Sequence, residues 1–181
     1  MSRIFKWGIL GAGRIARKFA SDLKYVEGAR FYAVGARTYE SAHTFATEFP
    51  GTKTYEGYEN LVKDPEIDAI YVASPHGLHR EHVILCLEHK KPVLCEKAFA
   101  INHRQALEMV ETAQKNKVFM MEALWTKFNP HFIKTRSLID QGKIGKVVFD
   151  VKDCAFVLLR SEGSQRYVAF RRGYADQRRI D

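Results

Sequence analysis

Apolar positions along this chain follow two alternating periods. Ile4, Phe5, Trp7, Ile9 and Leu10 form a nearly continuous run, as a strand covered on both faces requires. After Gly11-Ala12-Gly13-Arg14-Ile15-Ala16 the period changes to that of a helix, with Phe19, Ala20 and Leu23 on its apolar side. The sequence repeats this alternation. Residues 29–36 (ARFYAVGA) predict a second strand, and 39–49 a helix closed by Pro50-Gly51. A short strand at Thr54-Tyr55 and a helical turn over 59–63 follow, then a buried strand over 68–73 (DAIYVA). A loop, Ser74-Pro75-His76-Gly77, leads to a helix over 79–89, a strand over 92–95, a helix capped by Asn102 to about Asn116, and a strand over 118–121. Strand–helix alternation with such short links predicts a doubly wound parallel α/β sheet of Rossmann type over residues 1–123.

Past Glu122 the pattern differs. An aromatic connector from Trp125 to Pro130 precedes a helix over 131–141, ended by Gly142. Residues 146–156 (KVVFDVKDCAF) then alternate like a half-buried antiparallel strand that has no comparable partner after it. Residues 124–159 are therefore expected to begin a second, α+β domain with an antiparallel sheet, one that self-associates through the unpaired strand as a homo-oligomer. Up to Leu159 the basic residues are 15 Lys and 8 Arg, whereas residues 160–181 hold 6 Arg and no Lys. That stretch is read as an aberrant Arg-rich tail.

Bulk composition narrows the function classes. With 46% hydrophobic residues the 181-residue chain can bury a core. Its apolar runs are too short for a bilayer, and no signal peptide is expected before the first strand. Three cysteines without a C-x-x-C pair, Cys86, Cys95 and Cys154, suggest reduced thiols and a cytoplasmic location. The net charge of +8 is spread along the chain without interleaved aromatics, so a solvated surface with one anion-binding mouth is favoured over nucleic acid.

Candidate chemistry lies where strands end, since ligands of doubly wound sheets bind at the carboxyl edge. The G-x-G-x-x-A turn suits a dinucleotide: Gly11 allows the tight turn, Gly13 lets a diphosphate approach, and Ala16 keeps helix and strand close. Arg14 and Ile15 then open a helix whose free N–H groups favour an anion. At the end of the second strand, Gly35-Ala36-Arg37-Thr38 offers a cation and a hydroxyl for a 2′-phosphate, favouring NADP over NAD. The alternative is a solvated Arg37, with Glu40 binding the ribose. After the fifth strand, Glu96-Lys97 places an amine that could exchange a proton with a substrate hydroxyl while hydride moves. His76, His79, His82 and His89 invite a metal reading, but no acidic or thiol ligand is spaced to complete a site. Capping or solvent-exposed imidazoles are the expectation, and no metal is expected.

Gly11–Ala16, Ser74-Pro75-His76-x-x-His79, Glu96-Lys97 and Met121-Glu122-Ala123-x-Trp125 occur in this order. Together they resemble the Gfo/Idh/MocA oxidoreductase family, most closely its dihydrodiol dehydrogenase and NADP-dependent xylose dehydrogenase branch, from about Arg3 to Phe156. The resemblance implies an NADP-dependent enzyme acting on a sugar or vicinal diol, with Lys97 catalytic. It puts Glu96 beside the cofactor, Ser74, Pro75 and His76 near its ribose and nicotinamide, and His79, Glu122 and Trp125 around the cleft. Two departures stand out. Ala98 replaces the Pro of the Glu-Lys-Pro motif; a cis bond there would cost about 2.5–4 kcal/mol, so a trans bond or a shifted loop is expected. The family's Gly-Gly-rich segment with its acid/base residue is not readable, so the chain is expected to be truncated, its tail an out-of-frame reading of that segment. Two rival readings remain. An inert nucleotide-binding remnant or partner of intact homologues fits the missing segment. An S-adenosylmethionine-binding methyltransferase fits the glycine turn but not Arg37-Thr38.

Overall fold

A computed structural model describes residues 3–143, 145, 149–150 and 157–158, the last four by backbone alone. The chain divides into two compact units, Met1–Ala123 and Leu124–Asp181.

The first unit is a six-stranded sheet in the order β3-β2-β1-β4-β5-β6, every pair parallel. Its strands are β1 (Phe5–Leu10), β2 (Ala29–Ala36), β3 (Lys53–Glu56), β4 (Ala69–Val72), β5 (Val93–Cys95) and β6 (Met120–Glu122). The helices between them are α1 (Arg14–Asp22), α2 (Tyr39–Thr47), α3 (Glu59–Lys63), α4 (His79–Glu88) and α5 (His103–Asn116). This is the Rossmann arrangement that the alternation predicts. The chain order reverses between β1 and β4, and the crevice there is the switch point where such sheets bind ligands.

Strand side chains alternate between the two faces, so each strand feeds two cores. Leu10, Ile70 and Val72 join Val83, Leu87, Val93 and Met109 on one face. Ile9, Val34 and Tyr71 join Ala16, Ala20 and Phe45 on the other. Ala16 is fully buried, which gives the close helix–strand approach expected of it. The final strand begins at Met120 rather than Val118, because Val118 still donates to Ala113 O in the turn that ends α5.

In the second unit a 3-10 turn, Trp125–Phe128, leads to α6 (Pro130–Asp140). Asn129 caps α6 by accepting from His131 N at 2.9 Å, and Pro130 sits where the helix needs no N–H donor. The aromatic connector predicted here is thus partly helical. Phe149–Asp150 pairs antiparallel with Val157–Leu158. At these two residues this corrects the expectation of a strand without a partner. The rest of 146–156, including Cys154, and the Arg-rich tail lie outside the described residues.

Candidate active site

The turn between β1 and α1 is tightly held. Gly11 has φ +104°, and a Cβ there would meet the Ala73 carbonyl and Ser74 N at about 3.0–3.1 Å, so glycine is required twice over. Arg17 fixes the turn from below by donating to Ala12 O at 3.0 Å and to Glu48 at 2.7 Å. Gly13 is different. Its φ of −84° suits any residue, and an added Cβ would come no closer than 4.0 Å to Ala73 O. No packing of the first unit demands glycine there. It leaves open space in front of the α1 N-terminus, whose first N–H groups have no side-chain cap.

Beside that space lies a cleft of about 420 Å³ lined by Arg14, Ile15, Lys18, Ser74, His76, Glu96 and Lys97. Residues from three strand ends therefore meet, as the motifs predict. Lys18 was not foreseen; its signal was its place one turn after Arg14 on α1. It is already paired with Asp22. Arg14 and Lys97 have no ion pair or side-chain hydrogen bond among the described residues, and both are exposed.

Glu96 is buried and held at both oxygens. The Tyr71 hydroxyl donates to Oε1 at 2.5 Å and Lys97 N donates to Oε2 at 3.0 Å. Burial, then the Glu96 carboxylate, push the Tyr71 phenol far above its ordinary range, so it stays a donor. Tyr71 stacks on Phe19 at 4.0 Å, which fixes the hydroxyl's aim. No sequence signal marked Tyr71; it read as one more apolar strand residue. The Lys97–Ala98 peptide is cis, contrary to the expected trans bond or shifted loop. Just after it, Ala98 O faces His79 Nδ1 at 2.9 Å and Phe99 N donates to Glu122 Oε1 at 3.2 Å, so the next peptide is tied to the scaffold on both sides.

A histidine pair forms the floor of the site. His79 is fully buried, with Nδ1 against Ala98 O and Nε2 against Ser74 O, both at 2.9 Å. Carbonyls only accept, so both contacts are hydrogen bonds when each nitrogen carries a proton. His82, 4% exposed, meets the Ser74 hydroxyl at 2.8 Å through Nδ1. The expectation of capping or solvent-exposed imidazoles is thereby corrected at both positions: neighbours from other elements bury and bond these rings. His79 supports the cleft from beneath and does not line it. Among the described residues no group of three or more His, Cys, Asp or Glu could hold a metal ion. Cys95 is buried on its strand, and burial pushes its thiol up to about 12, unlike a nucleophile.

The remaining residues lie apart. Arg37 and Thr38 follow β2 and do not line the cleft. Thr38 caps α2, accepting from Ser41 N at 3.3 Å and donating to Ser41 Oγ at 2.9 Å. Arg37 is exposed and unpaired among the described residues. Glu122 holds Phe99 and Pro75 is exposed beside the cleft loop; Trp125, 63% exposed, belongs to the second unit.

A family model described as "Oxidoreductase family, NAD-binding Rossmann fold" (GFO_IDH_MocA) matches residues 5–124. The chain belongs to this family. Its curated relatives include trans-1,2-dihydrobenzene-1,2-diol dehydrogenase of Xenopus tropicalis, 42% identical over 146 residues, covering 80% of this chain and 44% of the relative. D-xylose 1-dehydrogenase (NADP(+)) of Hypocrea jecorina is 41% identical over 160 residues, covering 82% and 41%. Among solved structures, KijD10, a 3-ketoreductase from Actinomadura kijaniata in complex with NADP and TDP-benzene, superposes with a TM-score of 0.73 at 28% identity, covering 78% and 44%. The chain spans less than half the length of the relatives it matches. In this Gfo/Idh/MocA chain the first unit by itself carries the glycine turn, the Ser74 loop and the Glu96-Lys97 pair.

Proposed function

We propose that this chain binds NADP at the carboxyl edge of its sheet and serves hydride transfer between the cofactor and a CH–OH carbon of a sugar or vicinal diol. The observation that carries this reading is the single cleft uniting the α1 N-terminus, Ser74 and Lys97. The open space at Gly13 fits a diphosphate, held by the helix N–H groups with Arg14 beside it. Arg37, exposed and unpaired at the end of β2, takes a 2′-phosphate, while Thr38 orders the helix start next to it. NADP, when bound, supplies the hydride acceptor. Lys97 accepts the hydroxyl proton at Nζ as the carbon loses hydride and its C–O bond becomes a carbonyl; in the reverse direction it returns that proton. Glu96, clamped by Tyr71, keeps the Lys97 backbone fixed, so the amine swings from a set point.

The direct test is cofactor titration. NADPH should bind more tightly than NADH, and Arg37→Ala should remove most of that difference, about 1.5–3 kcal/mol for a lost charge-assisted contact. Equal affinities in the unmodified chain would sink the cofactor assignment. Turnover on aldoses and vicinal diols, with Lys97→Ala as control, separates an oxidoreductase from a nucleotide-binding remnant. The described cleft is built wholly from the first unit, so binding and turnover can part company.

A further inference from the structure

The mechanism above makes no use of His82, a buried titratable side chain whose bond is to a residue of the cleft wall. His82 and His79 lie one turn apart on α4 and grip the same residue at two points: His79 Nε2 faces Ser74 O, and His82 Nδ1 meets Ser74 Oγ. Ser74 is itself 6% exposed and lines the cleft with Glu96 and Lys97. The His82 ring is also packed against Tyr58, edge-on with centroids 4.5 Å apart. Burial pushes His82 below its ordinary value, so at neutral pH the ring is uncharged and carries one N–H. A neutral imidazole bonded at Nδ1 fixes the direction of the Ser74 hydroxyl proton. Where Nδ1 accepts, the Ser74 oxygen keeps both lone pairs free; where Nδ1 donates, Ser74 keeps its own proton to offer.

We infer that His82 is a positioning residue for the reactive half of the bound dinucleotide, acting through the Ser74 hydroxyl. The inference rests on the NADP reading above. It assigns the two halves of the cofactor to different supports. Arg37 and the glycine turn answer for the adenosine phosphates, whereas Ser74, in the same cleft as Lys97, answers for the ribose and nicotinamide beside the transferred hydride. His82 serves only the second group.

That division gives a readout which a general loss of structure would not imitate. Dissociation constants are measured for NADPH and for 2′,5′-ADP, which carries only the adenosine half. The proteins are the unmodified chain, His82→Phe, His82→Asn and Ser74→Ala. His82→Phe fills the ring's volume but leaves the Ser74 hydroxyl without its partner, and should weaken NADPH about tenfold while 2′,5′-ADP stays within about threefold. His82→Asn places an amide group near the position of Nδ1 and should recover most of the NADPH affinity. Ser74→Ala should reproduce the selective loss, and His82→Phe added to it should have little further effect, since contacting residues are coupled. Should His82→Phe not fold, Ser74→Ala and His82→Asn carry the test. Unchanged NADPH affinity in His82→Phe, equal loss of both ligands, or additive losses in the double variant would overturn the inference while leaving the NADP reading intact. Failure of the unmodified chain to bind either ligand would overturn the NADP reading and the inference with it.

Discussion

The two ends of the Rossmann sheet bury polar groups in different ways. At the amino end, Asp64 accepts from the Tyr55 hydroxyl at 2.6 Å, from Glu66 N at 2.8 Å and from Lys53 at 3.3 Å. Nearby, the Lys91 ammonium donates to Asp64 O and Ile67 O, and Asp68 accepts from Lys6 N and pairs with Arg3. Each of these groups is matched by another part of the chain. At the carboxyl end, Ser74, His79, His82 and Glu96 are also buried and bonded, but Glu96 holds the backbone of Lys97, whose amine has no partner among the described residues, and the same cleft carries the equally unpaired Arg14 beside Gly13, a glycine that no packing requires. Buried polarity alone therefore marks no site. A site is marked where buried polar groups anchor exposed groups that the chain leaves without partners.

The largest expected effect lies at the closed end. Asp64→Ala leaves a part-buried hydroxyl and a backbone N–H without their acceptor, and should cost about 3 kcal/mol of stability. The exposed Lys53 pair adds little to that, being screened by solvent. Denaturant unfolding gives the stability, and NADPH affinity measured well below the transition should stay the same. A variant that loses binding as well would show that the two ends are coupled through the sheet.

Gly13→Ala reverses the pattern. The backbone accepts alanine and the nearest atom is 4.0 Å away, so stability should fall by no more than about 1 kcal/mol, the difference between Gly and Ala before a helix. NADPH affinity should fall about tenfold or more, because the methyl group occupies the approach to the helix N-terminus. Unchanged affinity would place the diphosphate elsewhere. Gly11→Ala is the contrasting control, with stability and binding lowered together, since both its φ and its contact with Ala73 disfavour a side chain.

Much of the open end was legible in the sequence, because its parts are local. The glycine turn follows directly on β1, Arg37 directly on β2, Ser74 on β4 and Glu96-Lys97 on β5, so knowing where each strand ends puts all of them at the carboxyl edge, and all but Arg37 at one cleft. The supports were not legible for the opposite reason. His79 is held by Ala98, 19 residues on, and Tyr71 reaches Glu96, 25 residues on. Their roles depend on how β4, α4 and β5 pack side by side. Helical spacing placed His79 and His82 on one face but could not say whether that face was wet. Thr38 shows a related limit: the strand-end pattern points to a hydroxyl for a phosphate, and the structure adds a local cap that engages both its oxygen and its proton. The closed end is equally hidden in the sequence, since Asp64 and Lys91 look like ordinary surface charges, whereas the α3–β4 link buries the first and takes up the ammonium of the second.

The smallest expected effect also distinguishes the ends, by pH. At the open end, burial lowers His82 in the folded chain, while Glu81, Glu59 and the His79 ring act on it more weakly. In the unfolded chain the same ring titrates near 6.5. Between the two values the unfolded state binds more protons, so stability is at its full value above about pH 6.5 and falls as acid carries the pH down through the folded value. At the closed end, burial would raise Asp64, but the bonds from Tyr55, Glu66 N and Lys53 outweigh it and the folded value is lowered. Its contribution is present above the ordinary carboxylate range, near 3.9, and is lost as pH falls through the lower folded value. Glu59 and Glu66 are lowered as well but are exposed, so screening leaves them little weight. Unfolding free energy measured from pH 8 to pH 3 should thus fall in two separate windows. His82→Asn should flatten the upper window and leave the lower one, and Asp64→Asn should do the reverse in a less stable protein. An upper window unchanged by His82→Asn would mean that another group sets it, and that His82 is less shielded from water than its packing under Tyr58 implies.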